Sequence, residues 1–237
     1  MENLPLVCFP HAGAGMLYYS KWRFAFGGGI DVRIAQYPLR EQRMNTPMPG
    51  SLTALAEDLF TELSSSFRGS YAIWGHSMGS VIGYEIAKLC QDRLGNPPLV
   101  FFTSGSAAPC DSQFTGVSDL DTKDGVERVL RHYGGLSEEN LADPEFMKYF
   151  APIITTDLRL LGGYSDPHQI PLNCPIVLMQ GQEDPVSVTN WQRYTQHPIS
   201  HNTFDGGHFF VDERRPEMAA LMESTIQLVW QRGATLS

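Results

Sequence analysis

Apolar positions along the chain fall into short continuous runs, separated by longer stretches in which they recur at helical spacing. Leu4 to Phe9 is an apolar run that stops at Pro10 and reads as a buried strand. Ile30 to Ala35 predicts a second strand, Tyr71 to Trp74 a third, and Leu99 to Thr103, introduced by Pro97-Pro98, a fourth. Pro175 to Gln180 is a fifth, rich in Ile, Val, Leu and Met, and Asn202 to Phe204 begins the last. Helical patterns lie between them: the aromatic segment Tyr18 to Phe26, Leu52 to Leu63 behind Ser51 as N-cap, Ser80 to Leu89, Trp191 to Thr195, and Glu213 to Gln231. Tyr37 to Gly50 holds three prolines and two arginines and reads as a loop.

The alternation stops between about Gly105 and Tyr164, where the pattern is helical and polar. Within that stretch Asp143-Pro144-Glu145 is a helix start, with the proline where its missing N–H does no harm. Strands alternating with helices predict an α/β fold, a mostly parallel central sheet with helices on both faces. We expect one domain over residues 1–237, with a helical lid inserted at about 106–165 over the C-terminal edge of the sheet. Ligands bind at that edge in such folds, and a cap there roofs the site.

Gly75-His76-Ser77-Met78-Gly79 is a G-x-S-x-G motif placed between an apolar run and an amphipathic one. A strand, a tight turn and a helix are the context in which that motif exposes a nucleophilic serine. A hydroxyl is a weak nucleophile at neutral pH, so Ser77 needs a base and an acid to orient it. Asp184 follows the fifth strand in Gly181-Gln182-Glu183-Asp184-Pro185, and His208 follows the sixth in Gly206-Gly207-His208-Phe209-Phe210. The order serine, acid, histidine suits this fold. Glu183 is expected to face away, and Asp205 and Asp212 lie too near His208 in sequence to approach it freely. In some proteins of this fold the acid follows the strand after the elbow helix, but here Thr103-Ser104-Gly105-Ser106-Ala107 has no carboxylate. The oxyanion donors are expected to be the Met78 N–H, at the start of the elbow helix, and the Ala12 N–H, in the loop after the first strand. His76 is expected beneath the turn in a structural role, and His11 beside the oxyanion loop as a bystander. The remaining histidines show no metal-ligand spacing, and no phosphate-binding glycine motif is present, so neither a metal site nor a nucleotide cofactor is expected.

Composition narrows the partners. Seventeen basic against twenty-six acidic residues among 237 leave a net charge of −9, which argues against nucleic acid and against anionic membrane surfaces. No run approaches the length of a membrane span, and Met1-Glu2-Asn3-Leu4-Pro5 lacks the features of a signal peptide. Cys8, Cys90, Cys110 and Cys174 are scattered and read as reduced thiols, which points to the cytoplasm.

Taken together these motifs resemble the stand-alone type II thioesterases of nonribosomal peptide and polyketide synthases, proteins of the α/β-hydrolase fold. The resemblance is carried by Trp74-Gly75-His76-Ser77-Met78-Gly79-Ser80, Phe9-Pro10-His11-Ala12-Gly13, Tyr37-Pro38-Leu39-Arg40-Glu41-Gln42-Arg43, Asp157-Leu158 with Tyr164, and Gly207-His208-Phe209-Phe210. It runs from about Leu4 to Val229. It implies a hydrolase that removes acyl groups from the phosphopantetheine arm of acyl- or peptidyl-carrier proteins, with the triad Ser77, Asp184 and His208 and oxyanion donors at Ala12 and Met78. No cofactor is implied, since the arm belongs to the substrate, and a monomer is expected. A general carboxylesterase on the same fold is the alternative. Leu39 stands where the family has glycine, Ala14 where glycine is common, and Thr155-Thr156 where an arginine-alanine pair is usual. Arg40 and Arg43 are either carrier-docking residues at the cleft mouth or internal braces of their loop.

Overall fold

The computed structural model describes residues 3–111 and 114–234. Met1 and Glu2, on which part of the N-terminal reading rests, and Ser112 and Gln113 of the expected lid lie outside the described residues. Strands β1 (Leu4–Phe9), β2 (Ile30–Ile34), β3 (Ala72–His76), β4 (Phe101–Ser104), β5 (Ile176–Gly181) and β6 (Ser200–Phe204) form one sheet. Its order is β2-β1-β3-β4-β5-β6, with every neighbouring pair parallel. The helices are α1 (Met16–Tyr19), α2 (Leu52–Glu62), α3 (Met78–Leu94), α4 (Lys123–Tyr133), α5 (Glu138–Ala142), α6 (Pro144–Gly162), α7 (Phe210–Glu213) and α8 (Arg215–Ala234).

The continuous apolar runs follow from burial on both faces. Val7, Phe9, Ile73, Phe101 and Leu178 face one apolar layer together with α2, α3 and the helices of the 117–162 stretch. Leu6, Cys8, Trp74, Phe102, Val177 and Met179 face the opposite layer, with Tyr19, Trp22 and the apolar side of α8. A strand covered on both sides has no polar alternation to show. β6, at the edge, is the exception: Ser200, His201 and Thr203 are exposed, and a polar edge strand resists pairing with another chain.

Helix starts follow local chemistry. Ser51 caps α2 by accepting the Ala54 N–H at 3.1 Å, and Asp143 caps α6 through the N–H groups of Glu145 and Phe146, with Pro144 in the first turn. Two expected helices are tighter. Trp191–Tyr194 is a single 3-10 turn entered from Asn190 at φ 66°, and the aromatic segment is α1 followed by a 3-10 turn over Ser20–Phe24. Short runs of that kind carry too few periodic positions to distinguish the two helix types. Between β4 and β5 the described residues form helices and no strand, and Leu141, Met147, Leu158 and Leu161 join the core shared with α2 and α3. Val117 and Tyr149 of that segment are exposed instead.

The chain leaves β1 for β2 on one side and then returns to place β3 on the other. The loops after β1 and β3 therefore diverge at one edge of the sheet and leave a crevice between them, the usual ligand position in an open parallel sheet. No helix among the described residues is long and apolar enough to cross a membrane. All four cysteines are free thiols, and burial pushes Cys90 up to about 11 and Cys174 up to about 12.

Candidate active site

β3 and α3 meet at Ser77, whose backbone stands at φ 53° and ψ −123°, a conformation that costs a non-glycine residue free energy. The neighbouring glycines make that turn possible by lacking a side chain. A Cβ on Gly75 would lie 2.2 Å from the Gly79 carbonyl oxygen, and one on Gly79 would lie 1.9 Å from that of Phe9. The turn is braced from below: the Ser77 N–H donates to the Ser104 carbonyl at 2.8 Å, and the Ser80 hydroxyl to the Gly75 carbonyl at 2.8 Å. The Ser104 hydroxyl accepts from Trp74 Nε1 at 3.1 Å. Ser80 and Ser104 are supporting residues that the sequence reading missed. Their only signal was two small polar residues in otherwise apolar surroundings.

His208 Nδ1 lies 3.0 and 3.1 Å from the two carboxylate oxygens of Asp184, and both side chains are buried. Backbone bonds fix the loops that carry them. Gln182 and Glu183 N–H groups donate to the Phe204 and Gly206 carbonyls at 2.8 and 3.0 Å, so the turn after β5 is held against the turn after β6. Gly181 permits this contact, since its Cβ would lie 2.4 Å from the Gly207 oxygen. Asp184 also accepts the Val186 N–H at 3.0 Å. Its carboxylate lies 3.1 Å from where a Cβ on Gly105 would be, directly after β4. Asp184 thus fills the space beside a position that itself carries no carboxylate. The rivals are engaged elsewhere or turned away: Asp205 pairs with Arg214, Asp212 with Lys21 and the Tyr18 hydroxyl, and Glu183 is exposed.

Rings surround the imidazole. Tyr133, His76 and Phe209 have centroids 5.2, 5.1 and 5.1 Å from that of His208. His76 is fully buried under the turn, with Nδ1 at 3.0 Å from the Ser104 hydroxyl, and burial followed by repulsion from His208 keeps it neutral. His11 is buried too, bonded through Nδ1 to the Tyr19 hydroxyl at 2.8 Å. Burial, then the neighbouring His208, push it down to about 3.

Ser77, His208, Ala12 and His11 share the wall of one pocket. Its remaining walls are mostly apolar and come largely from the 114–161 segment: Phe114, Val129, Leu130, Tyr133, Ile154, Leu158 and Leu161. The Ser77 hydroxyl is not hydrogen-bonded to His208 in this structure. Ala12 is buried in the loop after β1. The Ala14 N–H donates to the His11 carbonyl at 3.1 Å. In a trans peptide C=O and N–H point oppositely, so the Ala12 N–H is directed away from Ala14. Met78 is the first residue of α3, where a backbone N–H has no acceptor within the helix.

Arg40 and Arg43 are both taken up in ion pairs within the molecule. Arg40 is buried; it meets Asp157 at 2.7 Å and donates to the Ala14 and Pro38 carbonyls at 2.8 and 3.1 Å. Arg43 bridges to Asp58 and Glu62 of α2 at 2.7 and 2.8 Å. The two brace their own loop, because the carboxylates that neutralise them come from elsewhere in the chain. Leu39 occupies the left-handed region at φ 67°, where the glycine usual in the family would be free of strain. Thr155 and Thr156 turn their hydroxyls back onto the Ala151 and Pro152 carbonyls of α6, both at 2.7 Å.

The thioesterase-domain family matches residues 4–226. The chain belongs to that family. This thioesterase is 30% identical over 231 residues to the gramicidin S biosynthesis protein GrsT of Aneurinibacillus migulanus, covering 96% of this chain and 90% of that one. It is 28% identical over 218 residues to thioesterase PikA5 of Streptomyces venezuelae, covering 90% of this chain and 77% of PikA5. It spans only 16% of a longer relative, the phenyloxazoline synthase MbtB of Mycobacterium tuberculosis. Among solved structures, ClbQ from the colibactin NRPS/PKS pathway superposes with a TM-score of 0.88 at 26% identity, over 96% of this chain and 98% of ClbQ. The thioesterase therefore has the α/β-hydrolase fold, and its reaction is thioester hydrolysis.

Proposed function

We propose that this thioesterase removes acyl groups from the phosphopantetheine arm of acyl- or peptidyl-carrier proteins, clearing stalled or misprimed intermediates of a nonribosomal peptide or polyketide synthase. Ser77 is the nucleophile, His208 the general base and then acid, and Asp184 the residue that holds the imidazole tautomer. The observation that carries this reading is the 3.0 Å His208–Asp184 contact on the wall of the pocket into which the strained Ser77 turn opens. The biosynthetic roles in the names of GrsT and ClbQ support the choice of partner.

In the proposed reaction His208 Nε2 takes the Ser77 proton as the hydroxyl attacks the thioester carbonyl. The serine–imidazole contact tightens when the substrate is bound, as is common for catalytic hydrogen bonds that are loose in the free enzyme. Negative charge on the carbonyl oxygen is met by the Ala12 and Met78 N–H groups, which have no competing acceptors among the described residues and need no reorganisation. The carbon–sulfur bond breaks, and His208 returns the proton to the departing pantetheine thiol. Water then attacks the acyl-serine with His208 again as base, which releases the acid and restores the hydroxyl. No cofactor enters this scheme. The helices between β4 and β5 act as a lid, with the acyl chain against their apolar side chains. The net charge of −9 gives no long-range attraction to acidic carriers, so docking depends on short-range contacts. The enzyme works as a monomer in the cytoplasm.

The experiment is mass spectrometry of a panel of acylated carrier proteins, incubated with the parent enzyme and with Ser77→Ala. The parent should convert acyl carriers to holo carriers. Ser77→Ala should lose at least about 10³-fold in turnover, together with labelling by a fluorophosphonate. Turnover retained in that variant would falsify the nucleophile assignment, and a strong preference for oxygen esters over carrier thioesters would favour the general esterase.

A further inference from the structure

The loop that carries Ala12 is held mainly by groups outside itself. The Gly13 N–H donates to one carboxylate oxygen of Asp157 at 2.8 Å, across 144 residues of sequence. The other oxygen of Asp157 takes the Arg40 guanidinium at 2.7 Å, and a second Arg40 nitrogen holds the Ala14 carbonyl at 2.8 Å. The Tyr37 hydroxyl donates to the Pro10 carbonyl at 2.9 Å. Peptide groups on both sides of the Ala12 N–H are thus fixed from elsewhere in the molecule. Asp157 is fully buried and lies on α6, a helix of the segment that covers the pocket. The same helix presses on the loop directly, since a Cβ at Gly13 would lie 2.9 Å from Phe150 and 3.0 Å from Ile154.

We infer that Asp157, paired with Arg40, is a positioning residue for the oxyanion donor at Ala12, so that seating α6 over the pocket and assembling the oxyanion hole are one event. This rests on the serine mechanism proposed above. The side chain has to be a carboxylate. Both of its oxygens accept, one from an N–H and one from a cation, whereas an amide would turn a donor toward one of them. If α6 lifts, Gly13 loses its acceptor and a buried guanidinium loses its counter-charge, a costly state in an apolar surrounding. The loop therefore follows the helix. Hydrolysis is restricted to substrates whose acyl chain lies under a seated lid.

The test compares the parent with Asp157→Asn and with the double variant Arg40→Met/Asp157→Leu. The double variant removes the pair without stranding a buried charge, which gives it the better prospect of folding. With an octanoyl-N-acetylcysteamine thioester as substrate, kcat should fall about 10- to 100-fold in both variants while KM stays within about threefold. Affinity for an alkylboronic acid, whose tetrahedral adduct puts an oxygen where the oxyanion forms, should fall in parallel. A folded double variant with kcat within about threefold of the parent overturns the inference, as does a rise in KM alone. Hydrogen exchange on the parent gives an answer even if both variants unfold. The amides of Gly13 and Ala14 and those of residues 153–161 should lose protection together, and loop amides that stay protected while α6 exchanges sink the coupling. Ser77→Ala run alongside keeps the two ideas apart. Turnover surviving there removes the serine reading itself, whereas its loss beside an unaffected double variant removes only the role of Asp157.

Discussion

Gly75 and Gly79 flank the strained serine, yet neither needs a positive φ. They are required because backbone atoms occupy the space where a Cβ would stand, within 2.2 and 1.9 Å. Strain is stored in Ser77 itself, at φ 53°. Ser77→Gly should therefore raise unfolding stability by about 1 kcal/mol, the relief of an unfavourable backbone less the added freedom of glycine in the unfolded chain. Urea denaturation of this variant measures this, and a stability below the parent's would show that the hydroxyl contributes more than the strain costs. The motif was legible in the sequence because this geometry admits few residue types. Asp157 was legible only as part of a family resemblance. Nothing local marks a buried aspartate in an amphipathic helix as the partner of an arginine 117 positions earlier.

At the scale of elements, the segment from Tyr37 to Arg43 works as a clamp. Tyr37 and Arg40 hold the loop after β1, and Glu41 accepts the N–H groups of Met16 and Leu17 at 2.9 and 2.8 Å. Arg43 anchors the clamp to α2 through two carboxylates that are themselves partly exposed. Ion pairs of that kind contribute little each, so Arg43→Ala should cost about 1 kcal/mol of stability. It should lower hydrolysis of carrier-bound and free pantetheine thioesters to the same extent. A selective loss on the carrier-bound substrate would return Arg43 to a docking role. Helices with a capping residue and several periodic turns, such as α2 and α6, could be read in advance. The turns at Ser20–Phe24 and Trp191–Tyr194 could not, because tertiary packing rather than periodicity decides how tightly so short a segment winds.

Across the whole molecule, two neutral histidines are buried next to a third. His11 is held down at about 3 and His76 well below the ordinary histidine range, both mainly by burial. Both would take up a proton on unfolding at any pH between their lowered native value and about 6.5. In that window the unfolded state binds more protons than the native state, so stability rises with pH and is lost as pH falls. Each group contributes about 1.4 kcal/mol per pH unit there. Urea unfolding at pH 5 and 6 should show this acid-side loss. His11→Asn should flatten the slope by about one proton, and an unchanged slope would mean that His11 is charged in the native protein.

The order of apolar runs and the glycine-bounded serine were enough to determine an α/β sheet and the sharp turn that carries Ser77 at one of its edges. Both are local: strand burial and a sterically forced turn leave their mark on neighbouring positions. Which side chains meet was decided by the tertiary structure alone. The β1–β3 switch brings the Ala12 loop beside the Ser77 elbow. Parallel packing sets Asp184 against His208. The fold also buries Arg40 against Asp157, so that a charge that looks like a surface feature in the sequence becomes an internal brace. The physical reason is that a buried charge must find its counter-charge wherever the fold brings one within reach, and separation along the chain does not record that distance.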